Sequence, residues 1–330
     1  ALDLPQPLER GSTQVFRAEA PAGTDAAALR AFDRWSIFGT YGGGNFERHA
    51  INGLDGYNSF GKLDRPALDA AVGRGVRCAT MTGSNPSEDA YGHPGLYAYV
   101  LMDEPDCHDY SVEDRPMGER IGAHAPQMLE FARSCAEKDP LTPTLLTVDL
   151  TFTPTNYFYY GQIADIANPD CYAITAGWSV RVVRNYLDTV RQACAPRPFD
   201  YTYQGSWEEI AIKQERDYIS GSELRQKGWD AFRDPDKVRG LGRAPHPDET
   251  AIMMLYGMGC GARGLFSYID SSEMCGTLMF HGSEDLPEIW EIVGRFSRTL
   301  RQVAPLIDIG HPVTLASASD DLLWVRTVLC

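Results

Sequence analysis

The chain has 330 residues, 43% hydrophobic and 23% charged, enough for a sizeable core in one large domain or two ordinary ones. Thirty Lys and Arg against forty-five Asp and Glu leave a formal charge of -15, which excludes nucleic acid as the expected partner because a polyanion would be repelled. No apolar run reaches the ~18 residues that a membrane-crossing helix needs, so no membrane span is expected.

In chain order, short β-rich runs alternate with helical segments. Trp35–Tyr41 reads as a first strand and Gly56–Phe60 as a second. Asp64 is the candidate N-cap of a helix that has Pro66 in its first turn, runs through Leu68, Ala71 and Val72, and closes at Gly73–Gly75. Val76–Met81 is a third strand and Leu96–Met102 a fourth, which runs straight into Asp103-Glu104-Pro105. A helix over Pro126–Ala136 precedes a fifth strand, Leu145–Asp149. Ile163–Ile166 reads as a short helical turn before a sixth strand, Cys171–Thr175. Tyr186, Leu187 and Val190 recur at helical spacing over Arg184–Ala193, and Phe199–Gln204 follows as a seventh strand. A polar excursion over 208–247 has the length of a functional or lid-like insertion. A helix over Glu249–Gly257, an eighth strand Gly264–Ile269 and a helix over Pro287–Leu300 complete the set.

Eight strands joined by crossover-length connections predict an α/β fold, a (β/α)8 TIM barrel over residues 31–308. Residues 1–30 form an N-terminal extension, and 309–330 a C-terminal β extension or the start of a further β-domain. That tail reads as two strands around Ser319-Asp320-Asp321, with Val15–Ala18 as a candidate partner. A doubly wound sheet is the rival architecture, but Gly42-Gly43-Gly44 lacks the spacing of a dinucleotide fingerprint.

Eight cysteines and a start at Ala1 without an apolar leader fit an oxidising compartment, so a secreted or periplasmic location is expected. Cys78 and Cys171 lie in apolar runs suited to free buried thiols, whereas Cys107 and Cys275, in polar turn-rich stretches, are the better disulfide candidates. With no Cys-x-x-Cys or His-x-His pair, neither a metal nor any other cofactor is expected.

In a barrel of this kind the active site lies at the C-terminal ends of the strands. Those ends carry Tyr41, Asn58, Asp103, Glu104, Asp149, Trp178, Tyr203, Gln204, Trp207, Glu208, Tyr268 and Asp270, a mixture of carboxylates and aromatics with few basic groups. Acids that protonate or attack, beside flat rings that stack on pyranose faces, are what sugar chemistry requires. A carbohydrate is therefore the expected partner. Alternation along strand four puts Ala98, Val100, Met102 and Glu104 on one face, so Glu104 ends the lumen-facing row. Sheltered there, its carboxyl should hold its proton more tightly and serve as a general acid. The structural alternative is that Asp103 and Glu104 cap the following helix or pair with an arginine.

Tyr99-Val100-Leu101-Met102-Asp103-Glu104-Pro105 resembles the end of strand four in the clan-A (β/α)8 glycoside hydrolases, whose acid/base glutamate closes an Asn-Glu-Pro or a variant of it. Pro247–Thr250 with Met254–Tyr268 is similar to the segment before strand eight in the β-galactosidase-like and related members, and Tyr57–Phe60 with Asp64–Val76 fits their second repeat. The resemblance implies cleavage of a glycosidic bond in an oligo- or polysaccharide, with Glu104 as acid/base. Asp103 then replaces the Asn that contacts a sugar hydroxyl. The resemblance also implies a strand-seven glutamate nucleophile, where this chain has Gln204. An amide cannot form a glycosyl ester, so the second carboxylate is expected to be Glu208, then Asp270, then Asp149. The remaining rim residues, Asp103, Asn58, Tyr41, Trp178, Tyr203, Gln204, Trp207 and Tyr268 together with Asp149, are expected to bind substrate. Two alternatives stand beside this: a carbohydrate-binding barrel without turnover, motivated by Gln204, and a metal-dependent hydrolase using Asp103, Asp149 and Asp270. The second is disfavoured because the strand ends lack paired histidines.

Overall fold

The computed structural model describes residues 37–42, 45–83, 87–208, 244–270, 280–283, 285–309, 311–313 and 324–329. Eight parallel strands close a barrel in chain order: β1 (Ile37–Tyr41), β2 (Gly56–Ser59), β3 (Arg77–Met81), β4 (Leu96–Val100), β5 (Thr144–Val148), β6 (Ile166–Cys171), β7 (Tyr201–Gln204) and β8 (Gly264–Tyr268). Closure is made by β8, which pairs with β7 on one side and β1 on the other. This is the predicted (β/α)8 architecture.

Strands of a parallel barrel are covered on both faces, so they read as apolar runs rather than as alternating ones. All five residues of β4, Leu-Tyr-Ala-Tyr-Val, are buried. Successive side chains still point to opposite faces, which sorts the interior into two cores. Ile37, Ala79, Ala98, Val100, Leu145, Ile166 and Phe266 fill the lumen. Phe38, Leu68, Leu146, Leu187, Met254 and Leu265 pack outside it among the helices.

The seam between β1 and β2 depends on two glycines in register, Gly39 and Gly56. A Cβ at Gly39 would stand 2.5 Å from the Gly56 carbonyl, a distance no side chain adjustment can relieve because the obstacle is backbone. Gly39→Ala is therefore expected to lower stability by about 1–3 kcal/mol, the usual cost of overpacking. The change should be read as a lower urea midpoint at constant m-value; an unchanged midpoint would show that the seam has slack.

The helix Arg65–Val72 starts as predicted: the Asp64 carboxylate accepts from the Ala67 amide at 2.9 Å and Pro66 occupies the first turn. Longer helices, Ala125–Lys138, Arg181–Cys194, Pro247–Cys260 and Pro287–Ile309, extend past their predicted ends. The sixth strand differs from expectation by five residues at its start, Ile166 instead of Cys171. Its interior holds Pro169, paired with Val148 of β5. Proline donates no ladder hydrogen bond and argues against a central strand, which pushed the predicted strand downstream and left Ile166 in a supposed helical turn. The shift places Asp170 near the C-terminal end of β6.

His311–Val313 and Thr327–Leu329 pair antiparallel, as the tail predicted. Val15–Ala18, the rest of residues 1–30 and the excursion over 209–243 lie outside the described residues. Among the described residues no helix is long and apolar enough to cross a membrane.

Candidate active site

The chain leaves β4, passes Asp103 and turns sharply at Glu104, whose backbone is left-handed at φ 45°, ψ 61°. Left-handed geometry is uncommon for a residue with a Cβ and marks a turn that its surroundings hold in place. Glu104 occupies the N-cap position of the helix Pro105–Tyr110, yet its side chain makes no capping bond. The carboxyl instead hydrogen-bonds Asp170. One oxygen each from Glu104, Asp149 and Asp170 lie within 4.8 Å of one another, so β4, β5 and β6 deliver one carboxyl apiece to the same point.

Each carboxyl has its own support. Asp149 Oδ2 accepts from Cys107 Sγ at 3.1 Å and from Thr151 Oγ1 at 3.2 Å. Behind it, buried Asp106 accepts from the Asp149 amide (3.1 Å) and from Asn156 Nδ2 (2.8 Å). The Tyr172 hydroxyl donates to Asp170 Oδ2 at 3.2 Å. Cys107, a predicted disulfide candidate, is instead a free thiol employed as this donor, while Cys78 and Cys171 are buried free thiols as expected. Cys275 lies outside the described residues.

Crowding of carboxyls away from water raises their proton affinity. Burial, then the charges of Asp103, Asp149 and Asp106, pushes Glu104 up to about 7 against the opposing hydrogen bond from Asp170. Asp103 rises to about 6 through burial and the Asp149 charge, and Asp106 to about 7 chiefly through burial. Burial and the facing Glu104 carry Asp170 well above the carboxylate range. The Glu104–Asp170 pair thus titrates as a unit, with its proton affinity raised above the ordinary carboxylate range.

Below the cluster the lumen is closed by a polar layer: Asn168 Nδ2 donates to the Tyr41 hydroxyl (2.7 Å), and Thr202 Oγ1 donates to Asn168 Oδ1 (3.0 Å). Beside it stand aromatic rings. Tyr172 stacks on Tyr268 at 5.0 Å and 26°, and Phe60, 44% exposed, meets Tyr268 edge-on at 6.1 Å. Tyr41 completes the group at 5.8 Å from Tyr268.

Of the predicted site residues, Asp103, Glu104, Asp149, Tyr41 and Tyr268 come together here. Asn58, next to the last residue of β2, has its amide buried and, among the described residues, without a hydrogen-bond partner. Asp270 lies elsewhere, fully buried against Arg48, with His49 Nε2 at 3.1 Å and Ser283 Oγ donating at 2.7 Å. Burial and the adjacent guanidinium of Arg48 hold His49 down to about 4, so it meets Asp270 as a neutral donor.

Gln204 sits where a strand-seven acid was expected, but its amide faces the loop after β6. Oε1 accepts from the Ile174 and Thr175 amides, both at 3.1 Å, and Nε2 donates to Thr175 Oγ1 (2.7 Å) and the Ser206 carbonyl (3.0 Å). Tyr203 packs in the outer core. Trp178 stands on the surface, stacked on Tyr186. Trp207–Glu208 pairs antiparallel with Phe280–His281, and the positions of the Trp207 and Glu208 side chains lie outside what the structure describes.

Asp170, Tyr172 and Asp106 were not foreseen. The signal for Asp170 was present: with Pro169 admitted to the strand, Ile166, Asn168 and Asp170 alternate on the lumen face. Glu104, Asp149 and Asp170 also have the oxygen chemistry to hold a hard divalent cation. A cation bound there would compete with protons for these carboxyls.

No protein-family profile and no curated protein matches the chain. Solved structures share its fold. The β-galactosidase of the Antarctic haloarchaeon Halorubrum lacusprofundi aligns at TM-score 0.56 and 10% identity over 81% of this chain and 58% of its own. This chain therefore spans less than two thirds of that enzyme. A GH5_18 protein from Streptomyces cattleya, solved with Manβ1-4GlcNAc, aligns at TM-score 0.55 and 10% identity over 81% of each chain. A glycoside hydrolase family 5 mannosidase from Rhizomucor miehei aligns at TM-score 0.52 and 8% identity over 82% of this chain and 94% of its own. In fold, the chain is a (β/α)8 barrel like those of the clan-A glycoside hydrolases.

Proposed function

We propose that the barrel hydrolyses a glycosidic bond in an oligo- or polysaccharide, with Glu104 as general acid. The observation that carries this reading is a glutamic acid released from helix capping, half-buried at the C-terminal mouth and held up to about 7 by loss of solvation and neighbouring carboxyls. An acid of that strength is protonated often enough at neutral pH to give its proton to a leaving sugar oxygen. The likeness in fold to glycosidases supports the same reading.

Asp149 is the second carboxylate of the proposal. Its oxygen is within 4.8 Å of one from Glu104, near the ~5–5.5 Å of retaining pairs and short of the ~6.5–9.5 Å that an inverting water requires. In the first step Asp149 Oδ bonds to the anomeric carbon as the glycosidic bond breaks, and the departing oxygen takes the Glu104 proton. In the second, ionised Glu104 takes a proton from water, which attacks the anomeric carbon and frees Asp149. Asp170 positions Glu104 through their shared hydrogen bond, and the Tyr268, Tyr172 and Phe60 rings offer apolar faces to the pyranose.

The test is release of reducing ends across a glycan panel, with the product anomer followed by NMR. Retention is expected, and inversion would remove Asp149 as nucleophile. Since Glu104 must be protonated, kcat/KM should fall as pH rises through about 7. The Asp103 charge helps to hold that proton, so Asp103→Asn should move the alkaline limb to lower pH. A limb that stays in place in this variant would assign the acid to another group. A second reading, a carbohydrate-binding barrel without turnover, is favoured by Gln204, whose whole amide is committed to structure. Binding without release at any pH would select it.

A further inference from the structure

Beside the mouth, a groove of about 430 Å³ is lined by Thr153, Trp178, Ser179, Asn185, Tyr186 and Thr189. Trp178 lies 44% exposed, with its indole nearly parallel to the Tyr186 ring at 14° and 6.3 Å between centroids. This is a large apolar face turned to water, and its support is firm. The Trp178 amide donates to the Ala173 carbonyl at 2.8 Å, and Tyr186 is anchored on the helix Arg181–Cys194.

The remaining lining is hydroxyl and amide apart from the aliphatic Val182, and among the described residues no charged side chain lines it. A flat aromatic face bordered by uncharged donors and acceptors suits one kind of ligand: a neutral pyranose, whose C–H face stacks on the ring while its hydroxyls bond the rim. The nearest cation, Arg184, is turned to the rim, where its Nη2 donates to Asn185 Oδ1 at 3.2 Å. The groove also belongs to the mouth's own side of the barrel. Thr153 is in the connection that carries Asp149, and Trp178 is in the one that follows β6.

We propose that this groove is a further subsite for a neutral pyranose unit of the same glycan that enters the mouth, so that the chain acts on or holds substrates of several sugar units. The inference rests on the carbohydrate reading of the mouth but not on turnover. It is tested with the full-length Glu104→Gln protein, which keeps substrates intact. Neutral β-1,4-linked gluco-, manno- and galacto-oligosaccharides of two to six units are titrated by calorimetry and tryptophan fluorescence, with oligogalacturonates of equal length as the charged control.

Affinity for one neutral series should rise with chain length, accompanied by a fluorescence change. Adding Trp178→Ala should remove about tenfold from the longest members, the scale of one aromatic contact, and little from the shortest. Trp178→Phe should restore part of the length dependence. Oligogalacturonates should gain nothing from length. Length-independent affinity, an equal loss at all lengths, or no binding by any neutral series would overturn the subsite. Length-dependent binding by a wild-type protein that never releases reducing ends would sink the glycosidase reading alone.

Discussion

Glu104→Gln should lower kcat/KM at least a hundredfold while leaving the thermal midpoint unchanged or slightly raised. General acids contribute about 10²–10⁴-fold, and an amide of nearly the same shape cannot supply the proton. Stability should not suffer, because the Glu104 side chain caps nothing and sits among carboxyls whose repulsion its neutral substitute relieves. The loss should also depend on the leaving group. An aryl glycoside that departs without protonation should be cleaved far less impaired than an alkyl or sugar glycoside. Steady-state kinetics on both classes, alongside thermal melts, decide the matter. Parallel loss of activity and midpoint would make Glu104 a structural residue.

Gln204→Glu, which would restore the acid expected at the end of strand seven, should instead destabilise the barrel by about 2–4 kcal/mol without raising turnover. Glutamate could still accept from the Ile174 and Thr175 amides, but its second oxygen would face the Ser206 carbonyl, acceptor against acceptor. The site is fully buried, where an unmet acceptor costs about 1–3 kcal/mol and a charge more. Urea unfolding and the glycan assay measure the two halves. A stable variant with turnover many times higher would mean that this position is a vacated nucleophile site.

These two positions also show what the sequence carries. The barrel was legible because most strands are short β-rich runs bounded by turn residues, and Glu104 because Asp-Glu-Pro follows directly on the fourth run. Linear distance from a strand end indicates which residues reach the rim, and says nothing about where a carboxyl turns. Asp270 and Glu104 look equivalent in one dimension. They differ because Arg48, 222 residues away from Asp270, claims one of them. Asp170 was hidden by Pro169, whose missing donor disguised a central strand. Gln204 and Tyr203, adjacent on β7, were both read as rim residues, yet neighbours on a strand face opposite sides, and neither contributes to the carboxyl cluster.

The left-handed turn at Glu104 has a consequence for which acids can work there. Pro105 fixes the chain on one side and β4 on the other, so the main chain has no slack with which to carry a shorter side chain forward. Aspartate would tolerate the same dihedral angles, but its carboxyl would stop one methylene short of Asp170 and of any sugar oxygen. Reach, rather than acidity alone, therefore makes glutamate the resident of this corner.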